Sequence, residues 1–141
     1  MRLRLLLTVS IVTAACVQHP PVPARSSAVG DWSLASVNGQ MLPFTVFQQG
    51  DYQSALASIT LRLDATGAFV FTSHNRETMG ANVSETSKAD SGTYVQRDSA
   101  LTLRFASDSL AVTATINQGS LTLVQRGGTY RFARASSSNQ R

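Results

Sequence analysis

The stretch Leu110-Ala111-Val112-Thr113-Ala114-Thr115-Ile116-Asn117-Gln118-Gly119-Ser120-Leu121-Thr122-Leu123 decides the fold. Leu110, Val112, Ala114 and Ile116 alternate with Ala111, Thr113 and Thr115, and Leu121 and Leu123 alternate with Ser120 and Thr122. A period of two puts the larger apolar side chains on one face of an extended strand and the threonines on the other. Between the two runs, Asn117-Gln118-Gly119 supplies residue types suited to a tight reversal. The expected unit is a pair of antiparallel strands with one buried face.

The same alternation recurs outward in both directions. Trp32 and Leu34 begin it, followed by Ile59, Leu61 and Leu63, then Phe69 and Phe71, then Leu101, Leu103 and Phe105, and finally Tyr130 and Phe132. Turn-forming residues separate these runs at Asp64-Ala65-Thr66-Gly67, Arg97-Asp98-Ser99 and Gly127-Gly128. No segment carries a helical period. The fold expected is therefore all-β: a small antiparallel up-and-down β-barrel of about eight to ten strands, because closure removes the edges an open meander leaves exposed. Strands of about seven residues rise roughly 23 Å, and a barrel of eight is only just wide enough for its own side chains. A filled or mostly filled core is expected, with any ligand site confined to one mouth.

Two segments interrupt the pattern and are expected to be irregular. Met41 to Tyr52 carries Phe44, Phe47 and Tyr52, which either line an apolar entrance and bind a ligand or cap the core against water. Ser73 to Asp90 is polar and is expected to be a solvated loop. It holds His74 and Glu77, but the other histidine, His19, lies near the start of the chain, and no metal-ligand spacing appears. There is no Gly-x-Ser-x-Gly elbow and no thiol beyond Cys16. The chain is thus not expected to be an enzyme or to need a cofactor or metal. Its basic residues are scattered and not interleaved with aromatics, which argues against a nucleic-acid partner.

Gly30-Asp31-Trp32 resembles the Gly-x-Trp opening of lipocalins and related calycin barrels, a group with lipid-anchored bacterial members. The resemblance implies an arginine at the end of the last strand that packs across the opening tryptophan and closes the barrel base. Arg134 shares the inward parity of Tyr130 and Phe132 and is the residue the resemblance assigns to this role. The Thr-Asp-Tyr motif and the helix of full lipocalins are missing, so the domain is lipocalin-like. Trp32-Ser33-Leu34 with Asn38-Gly39 is also similar to the bacterial META domain, without that domain's Gly-Cys-Asn segment.

At the amino terminus, Arg2 and Arg4 precede the apolar run Leu5 to Ala15. This run is shorter than the about 20 residues a membrane-spanning helix needs and has the layout of an export signal. Thr13-Ala14-Ala15-Cys16 resembles the lipobox of bacterial lipoproteins, which implies a signal peptide over 1–15 and a lipidated Cys16 carrying palmitate-type acyl chains. Residues 16–29, with Pro20, Pro21 and Pro23, read as a tether, 30–134 as the barrel, and 135–141 as a disordered tail. Loss of Arg2 and Arg4 leaves ten basic against eight acidic residues, a net charge of about +2.

Together these features lead to the expectation of a lipid-anchored cell-envelope protein, and the resemblance to Gram-negative lipoproteins, with Val17 rather than aspartate after the cysteine, implies the outer membrane. Its membrane contact is Cys16. Its other partner is a small hydrophobic ligand or lipid held non-covalently, or alternatively an envelope protein if the barrel is a filled interaction module, such as an inhibitor of an envelope-attacking enzyme. Replacing Cys16 by serine is expected to move the protein out of the membrane fraction or leave it unprocessed. Normal processing with persistent membrane attachment in that variant, measured by fractionation and mass spectrometry, would overturn the anchor.

Overall fold

The computed structural model describes residues 27–108, 111–125 and 127–135. Cys16, most of the tether, Leu110 and the tail 136–141 lie outside the described residues. The described chain forms ten strands: β1 (Gly30–Val37), β2 (Gln40–Met41), β3 (Phe44–Gln49), β4 (Tyr52–Leu63), β5 (Ala68–Met79), β6 (Asn82–Arg97), β7 (Ala100–Phe105), β8 (Ala111–Asn117), β9 (Ser120–Gln125) and β10 (Gly128–Arg134). Every pairing is antiparallel, and β4 to β10 run as a meander in sequence order. β1 then pairs with β10 on one side and with β4 on the other. This second pairing closes an eight-stranded barrel, leaving β2 and β3 as additions beside β1 and β4.

The alternation in the sequence becomes the barrel's inside. Ile59, Leu61, Leu63, Phe69, Leu101 and Leu103 are buried, as are Val112, Ala114, Ile116, Leu121, Leu123 and Phe132. They form one continuous cluster with Trp32, Leu34 and Val37. Phe105 packs edge-on against Phe69, with ring centroids 4.9 Å apart. No polar or charged residue is buried among the described residues, so this core is held chiefly by area burial.

The base of the barrel is closed by the chain that enters it. Trp32 is fully buried, and its indole N–H donates to the carbonyl of Ala28 at 2.8 Å. The Ala28 N–H donates to the Gln96 side chain at 2.9 Å, which draws residues 27–29 across the barrel end. The Arg134 guanidinium lies 4.6 Å from the centroid of the Trp32 ring. It also donates to the carbonyls of Val29, at 2.9 Å, and Ser27. One cation thus covers the indole face while tying the entering strap to the last strand.

The turn between β4 and β5 is fixed by Asp64. Its carboxylate accepts from the Thr66 N–H at 2.8 Å, the Thr66 hydroxyl at 2.6 Å and the Ala68 N–H at 2.9 Å. These donors, the Thr66 hydroxyl foremost, hold the Asp64 carboxyl below its ordinary pKa. The Tyr94 hydroxyl donates to the Asp64 carbonyl at 2.5 Å, anchoring this turn to β6. Glycine is required at Gly92 for a different reason. An added Cβ would meet the Arg104 carbonyl oxygen at 2.0 Å and the Phe69 ring at 2.8 Å.

The strands are less equal than the sequence suggests. Residues 41–52 are not irregular: they contain the end of β2, the whole of β3 and the start of β4. Residues 73–90 are not a loop either, since they form the outer parts of β5 and β6, paired residue for residue from Ser73↔Lys88 to Met79↔Asn82. β7 pairs with β6 only from Arg97 to Gly92. The upper ten residues of β6 therefore stand on a wall that rises roughly 30 Å above the neighbouring strand. Solvent bathes much of both faces of this wall, so neither face needs an apolar stripe, and the period-two signal vanishes although the strands persist.

Trp32→Ala is expected to lower stability by about 3–5 kcal/mol in chemical denaturation, because it empties the base of the barrel. Gly92→Ala is expected to cost about 1–3 kcal/mol, since the backbone oxygen of Arg104 cannot yield as a flexible side chain would. Unchanged midpoints would remove the roles given to these two positions.

Candidate functional site

Packing is dense at the base and relaxes toward the opposite end. There, Leu56, Ile59, Phe71, Phe105, Leu123 and Tyr130 surround an apolar recess of about 180 Å³, with Gln125 at its edge. The recess takes its shape from a bulge in β4. Pairing runs Leu56↔Asn75 and then Ser58↔His74, so Ala57 is an extra residue and side-chain parity changes across it. Ile59, Leu61 and Leu63 point inward below the bulge, and Leu56, Ser54 and Tyr52 occupy the same face above it. Leu56 and Ile59 consequently both border the recess although they are three residues apart.

Phe71 and Phe105 form the boundary between the recess and a larger, open cleft. Their rings meet edge-on, with centroids 5.8 Å apart and planes at 78°. The cleft has a volume of about 340 Å³ and is lined on its polar side by Ser73, Lys88, Asp90, Ser107 and Asp108, with Val112 and Gln125 beneath. β6 carries Lys88 and Asp90 on its inner face, opposite Ser73 and Phe71 of β5. Asp90 is held in place: its carboxylate accepts from the Ser91 N–H at 2.8 Å and from the Ser107 hydroxyl. The Ser107 segment is itself fixed by the Ala106 N–H, which donates to the Ser91 carbonyl at 2.8 Å.

Phe44, Phe47 and Tyr52 lie on the wall above this site. Phe44 is half-buried against the core opposite Leu56. A bulge between Thr45 and Phe47 keeps Phe47 on the same face, opposite Ser54. Phe47 contacts Tyr52 with ring centroids 6.0 Å apart, and Phe47 remains 49% exposed. The three aromatics thus continue the inner face of the recess upward along β3 and β4. None of them lines the recess itself.

His74 and Glu77 are not brought together. Their odd separation along β5 puts His74 on the outer face of the wall and Glu77 on the inner face. Among the described residues no three His, Cys, Asp or Glu side chains form a group that could hold a metal ion. The arrangement that does exist suits non-covalent binding, with an apolar hollow, aromatic walls and a charged rim on one side.

Sequence periodicity identifies the inward residues of the recess other than Leu56, but not the hollow between them. Whether facing side chains meet or leave a gap depends on strand stagger and on the bulge, which periodicity does not encode. Lys88 and Asp90 are hidden by the polar composition of their segment. A usable signal is the continuation of the Phe69–Phe71 alternation to Ser73, with Gly80 between two runs rich in Thr, Ser and Val.

No protein-family profile matches the chain, and no curated protein matches it. Among solved structures, that of an uncharacterized protein from Bacteroides eggerthii is similar to it, with a TM-score of 0.46 and 14% sequence identity. The similarity covers 76% of this chain and 98% of that one.

Proposed function

We propose that this chain is a lipid-anchored cell-envelope protein whose lipocalin-like barrel binds a small hydrophobic ligand, without covalent chemistry, at its open end. The observation that carries this reading is the recess bounded by Leu56, Ile59, Phe71, Phe105, Leu123 and Tyr130, an apolar hollow that opens beside a polar cleft. A ligand entering it exchanges water contact for aromatic and aliphatic walls, which is favourable by about 25 cal/mol per Å² of apolar surface covered. The lipobox-like Thr13-Ala14-Ala15-Cys16 supports the anchor. Both ends of the barrel domain, Gly30 and Arg134, lie at the closed base, so a tether running from Cys16 would leave the open end unobstructed.

A second reading rests on a different observation. The tall wall carries exposed apolar side chains, with Phe47 at 49%, Met79 at 64% and Val83 at 50% accessibility, above a base already filled by its own side chains. That combination suits a module that docks on another envelope protein, for example as an inhibitor of an envelope-attacking enzyme.

Native mass spectrometry of residues 17–141, produced in bacteria and gently purified, separates the two readings. Ligand binding predicts an added mass that is lost on denaturation. Leu56→Trp, which places an indole in the recess mouth, is expected to abolish that mass while leaving the melting transition cooperative. A clean unliganded mass for the unmodified sequence, unchanged after incubation with mixed envelope lipids, would reject the ligand-binding function.

A further inference from the structure

The charged rim of the cleft has an order, and the order selects a ligand. Starting from the recess and moving up β6, the first inward pair is Phe71↔Asp90 and the next is Ser73↔Lys88. A carboxylate therefore lies nearest the apolar hollow and an ammonium lies one step beyond it. The two residues are about 7 Å apart along the strand, and they are not paired with each other. Lys88 is the single lysine of the chain. Asp90 is the better fixed of the two, because the Ser91 N–H and the Ser107 hydroxyl already orient its carboxylate. An ionised carboxylate has about four acceptor sites, so Asp90 retains capacity for an incoming donor.

Each simple class of amphiphile mismatches this rim. A plain hydrocarbon would cover Lys88 and Asp90 without replacing their water, at a desolvation cost. A fatty-acid anion seated in the recess would bring its carboxylate to Asp90, the first charged residue beside it. A simple alkylammonium satisfies Asp90 but leaves Lys88 facing a like charge.

Resting on the ligand-binding reading above, the geometry points to a zwitterion with a fixed polarity: a short apolar group, then an ammonium, then an anion. The apolar group occupies the recess, the ammonium donates to Asp90 beside the Phe71 and Phe105 rings, and the anion accepts from the Lys88 ammonium. N-alkylated amino acids, in which the ammonium stands between the alkyl chain and the carboxylate, have this order. Common phospholipid head groups, with phosphate next to the tail and ammonium outside, have the reverse.

Four probes with one tail test the order: N-octylglycine, octyl phosphoethanolamine, octanoate and octylammonium, each titrated into residues 17–141 by calorimetry below its micelle-forming concentration. N-octylglycine is expected to bind at least tenfold more tightly than each of the other three. Lys88→Met should reduce it to the affinity of octylammonium, and Asp90→Asn should reduce it to that of octanoate or below, with melting curves confirming folded protein. Equal affinities for all four probes, or a preference for octanoate or octyl phosphoethanolamine, would overturn the zwitterion and leave the apolar recess standing. Failure of all four to bind the unmodified sequence would remove the ligand-binding reading as well.

Discussion

The whole molecule depends on a short seam. β1 closes the barrel against β4 through only four residue pairs, from Gly30↔Leu63 to Ser33↔Thr60, before it turns away to pair with β2. Ladder hydrogen bonds in water contribute little net free energy each, so four pairs do not hold an eight-stranded barrel shut by themselves. Trp32 lies at the centre of this seam. Its backbone joins β4 through Leu61 and β10 through Arg134, its ring is the largest fully buried side chain, and its N–H fastens the Ala28 strap. Arg134 then covers the ring from the neighbouring strand. The stacked cation contributes about 1 kcal/mol, whereas indole burial contributes several times more, so the arginine chiefly orders the strap. With the base fixed, the open end can depart from regular geometry without opening the barrel.

That departure is where the site arises. On one side β7, β8, β9 and β10 are short; on the other, β4, β5 and β6 rise well beyond them. Unequal walls leave some inner side chains without a partner across the barrel. Phe71, Phe105 and Tyr130 are half-buried for this reason, while Phe69 and Phe132, one step deeper, are fully covered. The bulge at Ala57 then turns Leu56 to the same side as Ile59 and extends the apolar surface up the tall wall toward Phe44, Phe47 and Tyr52. The upper edge of β6 is strewn with Glu85, Lys88 and Asp90, charges of the kind that protect an unpaired strand edge from association. Two of the three also face the cleft, so in the proposed function edge protection and ligand selection draw on the same residues.

These origins explain which parts of the structure can be read from the sequence. Where a strand has one face in the core, as in Leu101–Leu103 or Val112–Ala114–Ile116, burial imposes period two and the alternation predicts both strand and face. The turns at Asp64–Gly67 and Asn117–Gly119 are legible because their backbone geometry demands particular residues; Gln118 and Gly119 both have positive φ. β3 and the outer parts of β5 and β6 are not legible in this way. Their faces are largely solvated, so selection for strand formation leaves threonine, serine and valine but no stripe. The bulges at Ala57 and Val46 each shift parity by one residue, which breaks the count by twos just where Phe44, Phe47 and Tyr52 would otherwise be aligned with the core.

The size of the recess limits what binding can achieve. About 180 Å³ holds roughly six groups of the volume a water molecule occupies in the liquid. At about 0.8 kcal/mol for each buried methylene, filling it contributes on the order of 5 kcal/mol. That corresponds to a dissociation constant between millimolar and micromolar even before ordering costs are counted. Tight binding from apolar burial alone is therefore out of reach. Any selectivity has to come from the polar cleft, where Asp90 is already oriented by two donors and loses little freedom when a third arrives. In the proposed function, a filled base, a small hollow and a preorganised rim together favour recognition of a short ligand by its head group over storage of a long one by its tail.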